Sequence, residues 1–129
     1  ISEEEVNKVS QRVMAIKLDK FNKGIHPSKA PYGYKWNKRL GIMEFDIKKL
    51  DIVKKPDIVK KAFEMTLNNI NWKEICKTLN LSMSTYYNII KNKIYIGIIE
   101  FKGQEKKGTH QPIIDEDLFN KVQQKLKVS

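Results

Sequence analysis

The stretch that decides the fold is Asn71-Trp72-Lys73-Glu74-Ile75-Cys76-Lys77-Thr78-Leu79-Asn80-Leu81-Ser82-Met83-Ser84-Thr85-Tyr86-Tyr87-Asn88-Ile89-Ile90-Lys91-Asn92. It holds two apolar stripes at helical spacing, separated by a short break. Asn71 is a good helix cap, and Glu74 stands three residues on, where a capping box wants it. Trp72, Ile75, Cys76 and Leu79 then predict the buried stripe of a short helix. Asn80-Leu81-Ser82 reads as a tight turn. A second helix is predicted from about Met83 to Asn92. Tyr86, Ile89 and Ile90 face inward, while Thr85, Asn88, Lys91 and Asn92 fall together on its polar side.

Upstream, Asp57 opens a helix just after Pro56. Val59, Phe63 and Leu67 share one face with Ile58 and Ala62 beside it, and Asn68-Asn69 closes it. Downstream, Ile94 to Phe101 is β-branched and aromatic and predicts a strand. Residues 102–108 form a polar, glycine-bounded turn, and Thr109 to Ile114 is expected to return as the second strand. Asp115 caps a last helix whose apolar face is Leu118, Phe119, Val122 and Leu126.

At the N-terminus, Ser2-Glu3-Glu4-Glu5 reads as a capping box, followed by Val6, Val9, Val13 and Ile16 at 3–4 spacing. This predicts an amphipathic helix of about five turns, turning basic at Lys17, Lys20 and Lys23 and stopped by Gly24. Gly24, Pro27, Pro31, Gly33 and Gly41 exclude a long helix in residues 24–44. An irregular connector and then a short hairpin are expected there. Residues 45–56 give no clear pattern, and Lys54-Lys55-Pro56 ends any regular element.

The expected fold is α+β and mostly helical: a helix-turn-helix or winged-helix-like domain with a small β-hairpin and a preceding long helix. A helix fits the major groove of B-DNA, and a braced, short-turned helix pair fixes its angle. Residues 72–79 would brace and residues 83–92 would read. Ser84, Thr85, Asn88 and Asn92 offer hydrogen bonds to bases or phosphates. Tyr87 can stack or bond through its hydroxyl. Lys91 and Lys93 can neutralise phosphates, and Lys102, Lys106 and Lys107 sit where a wing would touch the backbone. A polar helix face is as often merely solvated, and a lysine in a turn is solvated by default.

Charge points the same way. Lys and Arg number 25 against 15 Asp and Glu, for a net charge of +10. That attracts polyanions, nucleic acid foremost. Only Arg12 and Arg39 are arginines, and an AT-rich genome also enriches Lys, Ile and Asn. A protein–protein interaction domain coated in solubilising lysine is therefore the rival from another class. A winged-helix transcriptional regulator is the rival within DNA binding, with the valine seam of the first helix as a dimerisation surface. The single cysteine, Cys76, excludes an internal disulfide framework and reads as a buried thiol. His26 and His110 stand far apart without thiols or carboxylates at metal spacing, so no metal and no cofactor is expected. Ser2, Ser10, Ser28, Ser82, Ser84 and Ser129 lack an arginine-rich setting that would activate a serine against phosphate, so no catalytic residue is assigned. The longest apolar run, Ile94 to Ile99, is too short to cross a bilayer. The acidic opening residues lack a secretory pattern. Opening on Ile1 suggests a piece of a longer protein.

Several segments, in order, resemble the DNA-binding "recombinase" domain of large serine recombinases. They are Ala30-Pro31-Tyr32-Gly33-Tyr34, preceded by a basic, glycine-containing linker; Asp57-Ile58-Val59-Lys60-Lys61-Ala62-Phe63; and Glu74-Ile75-Cys76-Lys77-Thr78-Leu79-Asn80. Ile89-Ile90-Lys91-Asn92 with Tyr95-Ile96-Gly97 follows, though Lys93 stands where the family usually has proline. His110 with Ile113-Ile114-Asp115-Glu116-Asp117-Leu118-Phe119 and Val122-Gln123 closes the match. The resemblance implies a separate catalytic domain with a serine nucleophile, joined through a long helix ending at residues 1–23. Residues 24–44 would be the basic linker and domain start, residues 45–129 the DNA-binding domain, and a zinc-bearing domain usually follows. It implies that the linker crosses the minor groove, with Lys20, Lys23, His26 and Lys29 as the contacts. The partner would be double-stranded DNA, with no membrane. Full-length members work as dimers and tetramers, which the fragment alone, as a monomer, need not share. The expected setting is the bacterial cytoplasm, at the nucleoid when bound.

Overall fold

Pro56 falls in the first turn of a helix, where its missing N–H costs nothing. In the structure, a computed structural model describing residues 3–48 and 53–128, that helix is α2 (Lys55–Leu67), starting two residues before Asp57. Before it come α1 (Glu3–Asn22) and an antiparallel hairpin of β1 (Tyr34–Asn37) and β2 (Ile42–Phe45). After it come α3 (Trp72–Leu79) and α4 (Met83–Lys91), then a 3-10 turn (Lys93–Ile96). A second hairpin of β3 (Ile98–Phe101) and β4 (Gln104–Lys107) and a final helix α5 (Glu116–Val128) complete the chain.

The expected cap at Asn71 forms, and Asn80 and Ser82 of the expected turn supply two more. Asn71 Oδ1 accepts from the Lys73 amide at 2.9 Å. α3 ends on Asn80 in the left-handed region (φ 55°), and the Leu81 amide donates back to the Cys76 carbonyl at 2.9 Å. Ser82 Oγ accepts from the Thr85 amide at 3.2 Å and starts α4. Such caps satisfy otherwise orphaned amides, each contributing about 1 kcal/mol. Trp72 departs from expectation. It is the first residue of α3 and 41% exposed, outside the stripe that buries Ile75 and Cys76.

α2 is the centre of the core. Val59, Ala62 and Phe63 are wholly buried among Ile75, Ile89, Tyr95, Phe119 and Val122. Phe63 meets Tyr95 edge-on at 6.2 Å and Phe119 at 5.9 Å between ring centroids. A polar contact joins α2 to α4 within this core. Thr66 Oγ1 donates to the Ala62 carbonyl at 2.7 Å and lies 2.7 Å from the Tyr86 hydroxyl. The threonine has a single proton, so the tyrosine must donate in the second bond.

Two strand expectations are corrected. Ile94 to Phe101 does not run as one strand. Asn92 Oδ1 accepts from the Ile94 amide at 3.0 Å and the Gly97 amide donates to Ile94 at 3.0 Å, which winds residues 93–96 into a 3-10 turn. Ile94 and Tyr95 are both buried, which an alternating strand with one wet face does not permit. The partner of β3 is Gln104–Lys107, not Thr109 to Ile114. Lys102 (φ 51°) and Gly103 (φ 79°) are both left-handed, as a two-residue turn with the twist of the hairpin demands. Residues 109–114 instead run irregularly across the core, where the Ile113 and Ile114 amides donate to the Tyr95 carbonyl at 2.9 and 3.1 Å.

Along α1, Val13 and Ile16 are exposed, so this part of the predicted seam does not face the core; Leu18 is exposed too, while Phe21 is buried and lies 6.0 Å from Phe101 of β3. The Ser2 cap falls outside the described residues. Buried His110 donates through Nε2 to the Ile94 carbonyl at 2.6 Å and stands edge-on to Tyr34. Its Nδ1 has no protein partner.

Two consequences are measurable. Thr66→Val keeps the shape but leaves the Tyr86 hydroxyl buried and unpaired. Urea unfolding should show a loss of about 1–3 kcal/mol, and Tyr86→Phe placed on top should recover part of it. A loss that simply adds would contradict the bond. Burial lowers the His110 pKa from 6.5, with the Ile94 carbonyl opposing that shift. The folded state therefore prefers the neutral ring while the unfolded chain takes up protons first. Its contribution is complete above pH 6.5 and is lost progressively as pH falls from that value through the lower pKa of the folded state. The urea midpoint should decline from pH 7 toward 5, less steeply in His110→Gln; an unchanged slope in the variant would refute the assignment.

Candidate nucleic-acid interface

α4 is pinned on one side and open on the other. Tyr86, Ile89 and Ile90 are buried against the core. At 3.6 residues per turn the outer side carries two neighbouring rows. Met83, Tyr87 and Lys91 form one row, and Ser84 and Asn88 form the next; all five are exposed. The Lys91 ammonium lies 5.8 Å from the centroid of the Tyr87 ring. Thr85 is half-buried at the edge, and its hydroxyl is engaged by Ser82 Oγ at 2.9 Å. Asn92 is exposed at the end of this face. It closes α4, and its side-chain oxygen is spent on the next turn.

An open groove of about 820 Å³ runs between α4, the linker and the second hairpin. His26 and Tyr32 line it from the linker, Thr85, Asn88, Lys91, Asn92 and Lys93 from α4 and its exit, and Glu105 from the hairpin. Six of the residues singled out from the sequence thus share one concavity. His26 donates through Nε2 to the Lys29 carbonyl at 3.1 Å. Burial lowers its pKa, with the nearby His110 adding to the effect and the Lys29 carbonyl opposing it. At neutral pH it is an uncharged linker brace rather than a cation. Lys29 contributes that carbonyl and keeps an exposed side chain.

The remaining cations gather elsewhere. Lys106 Nζ donates to the Asn22 carbonyl, so the hairpin touches the end of α1. The Thr109 amide and hydroxyl both donate to the Gly24 carbonyl, at 2.8 and 3.1 Å. Lys23 pairs with Asp19 at 3.0 Å, both exposed. Lys20 stands 5.5 Å from the Trp36 ring centroid. Lys102 occupies the turn itself, whereas Lys106 and Lys107 lie on β4, short of the tip. Lys93 is held by Glu105 at 2.8 Å.

Two features of this surface escaped the sequence reading. Met83 is 60% exposed, which only its four-residue spacing from Tyr87 foreshadowed. Glu100 and Glu105 face each other across the hairpin, a like-charged pair relieved by Lys93. No sequence signal pairs those strands, because Gln104-Glu105-Lys106-Lys107 has no apolar residue. Among the described residues, no group of three His, Cys, Asp or Glu side chains is placed to hold a metal. No described helix is long and apolar enough to cross a membrane.

No curated protein matches the chain. A solved structure described as "Sequence Requirements of the Listeria innocua prophage attP site" superposes with a TM-score of 0.75 at 19% identity, over 92% of this chain and 52% of that one. Another, "Crystal Structure of a LSR-DNA Complex", superposes with a TM-score of 0.72 at 20% identity, over 92% of this chain and 38% of that one. The chain thus spans about half, or less, of the length of these neighbours, and shares the fold of that part. Residues 54–128, more than half the sequence, match the Recombinase family, and the chain belongs to that family.

Proposed function

We propose that the chain is the DNA-binding part of a large serine site-specific recombinase and that it selects the recombination site in duplex DNA. The observation that carries this is the outer side of α4. It is a capped helix braced by α3 in a helix-turn-helix arrangement, with every core-forming residue on one side and hydrogen-bonding and cationic residues on the other. This is the form a major-groove reader takes. The fold it shares with a protein described as bound to DNA supports the reading.

In this reading Asn88 and Ser84 address base edges, with Tyr87 alongside them. Thr85 and Asn92, already engaged in caps, shape the helix ends. Lys91, Lys102 and Lys107 approach phosphates. Lys93 and Lys106 do so by exchanging a protein partner for the backbone of DNA. Lys20, Lys23 and Lys29 follow the linker along the neighbouring groove, with His26 holding its bend. Strand cleavage belongs to another part of the parent protein, which works as a dimer or tetramer on a mobile element in the bacterial cytoplasm.

The test is binding to duplex DNA by fluorescence anisotropy across a salt series. Log affinity should fall linearly with log salt, with a slope of about −0.9 per phosphate neutralised. Asn88→Ala should narrow the gap between preferred and mixed-sequence duplexes. Lys107→Ala should weaken both alike and make the salt slope shallower by about 1. Absence of duplex binding at low salt would favour a lysine-coated protein-binding domain. Equal, uniform losses in both variants would remove α4 as the reader.

A further inference from the structure

α4 presents an exposed apolar surface, the Met83 thioether and the ring of Tyr87, that phosphate attraction does not use. Met83 is 60% and Tyr87 55% exposed, while the core side of the same helix is filled by Tyr86, Ile89 and Ile90. The two are one turn apart, in the row next to Ser84 and Asn88. Lys91 stands at the end of that row with its ammonium 5.8 Å from the Tyr87 ring centroid, which steadies the ring. Guanine is most often read by arginine or lysine. The chain's two arginines are Arg12, on α1, and Arg39, between β1 and β2; neither is on α4. The one lysine of α4, Lys91, lies over the Tyr87 ring at the end of the helix and is assigned above to phosphate, so the remaining outer side chains, Met83, Ser84, Tyr87 and Asn88, suit the other base pair. In the major groove adenine offers N7 and its N6 amine, which suit an asparagine amide. Thymine offers a C5-methyl group, which suits an apolar side chain. Both lie on the same edge of one base pair, so adjacent rows of one helix can meet both.

We propose that Met83 and Tyr87 form a contact strip for thymine C5-methyl groups, so that α4 selects A·T base pairs by apolar contact beside the amide of Asn88. This rests on α4 being the major-groove reader. The unbranched thioether of Met83 adapts to a methyl at slightly different positions, while the rigid Tyr87 ring sets a firmer limit.

The experiment uses the chain itself and duplexes it enriches from a randomised pool. Each thymine of the enriched site is replaced in turn by deoxyuridine, which lacks only the methyl group. Binding should weaken about fourfold at one or two positions, the fold-change that corresponds to about 0.8 kcal/mol for one buried carbon. That sensitivity should vanish in Met83→Ala or Tyr87→Ala at the respective position and persist in Met83→Leu. Both side chains are outside the core, and circular dichroism verifies that the variants keep their helices. Sequence-selective binding indifferent to every replacement would overturn the strip. So would an enriched site without thymine, or sensitivity that survives both alanine variants. Duplex binding without any sequence preference, or no duplex binding, would instead overturn the wider reading of α4.

Discussion

Tyr95 ties together parts of the chain that are far apart in sequence. Its hydroxyl donates to the Tyr32 carbonyl at 2.6 Å, its ring stacks on Tyr34 at 6.0 Å, and its edge meets Phe63 of α2. Its own carbonyl takes the amides of Ile113 and Ile114. Burial pushes its phenol well above the ordinary range, so it stays a neutral donor at any physiological pH. Linker, central helix and the approach to α5 are thereby referred to one residue at the exit of α4. Gly33, between the two tyrosines of the linker, has φ 95°, and a Cβ there would sit 3.2 Å from both Val59 and Ile113. The linker can come this close only because that residue has no side chain.

That constraint gives the candidate surface its shape. With the linker fixed against Tyr95, His26 faces Asn88 and Lys91 across a shared groove rather than swinging free. The lysines spread around it are flexible point charges without the planar fork of arginine. They supply attraction at range and little discrimination. Glu105 of the hairpin holds Lys93 in place and keeps the cationic field from being uniform. Discrimination then has to come from α4, whose outer side has both hydrogen-bonding and apolar groups.

Much of this was legible in the sequence for local reasons. The cap at Asn71, the turn at Asn80-Leu81-Ser82, the stripes of α2 and α4 and, save for Trp72, that of α3 follow from residue type and spacing. The Ala30 to Tyr34 motif gave no sign of its anchoring by Tyr95. What was not legible depended on partners distant in the chain. Ile94 and Tyr95 look like strand residues, yet the Asn92 cap and burial on all sides wind them into a turn. β4 has no strand signature because both its faces are wet, and its pairing is imposed by the Lys102-Gly103 turn. Among the proposed contacts, residue type told which side chains can bind DNA. Only coordinates told that Thr85, Asn92, Lys93 and Lys106 already hold protein partners.

The central claim is that the outer side of α4, the linker and the second hairpin meet one duplex together. Backbone amide chemical shifts of the labelled chain, recorded as duplex DNA is added, test it most directly. The account expects perturbations concentrated in residues 20–29, 83–93 and 102–107, with the outer side of α5 and the β1–β2 hairpin left unchanged. Perturbations centred on α5 or on the β1–β2 hairpin, with α4 silent, would contradict it.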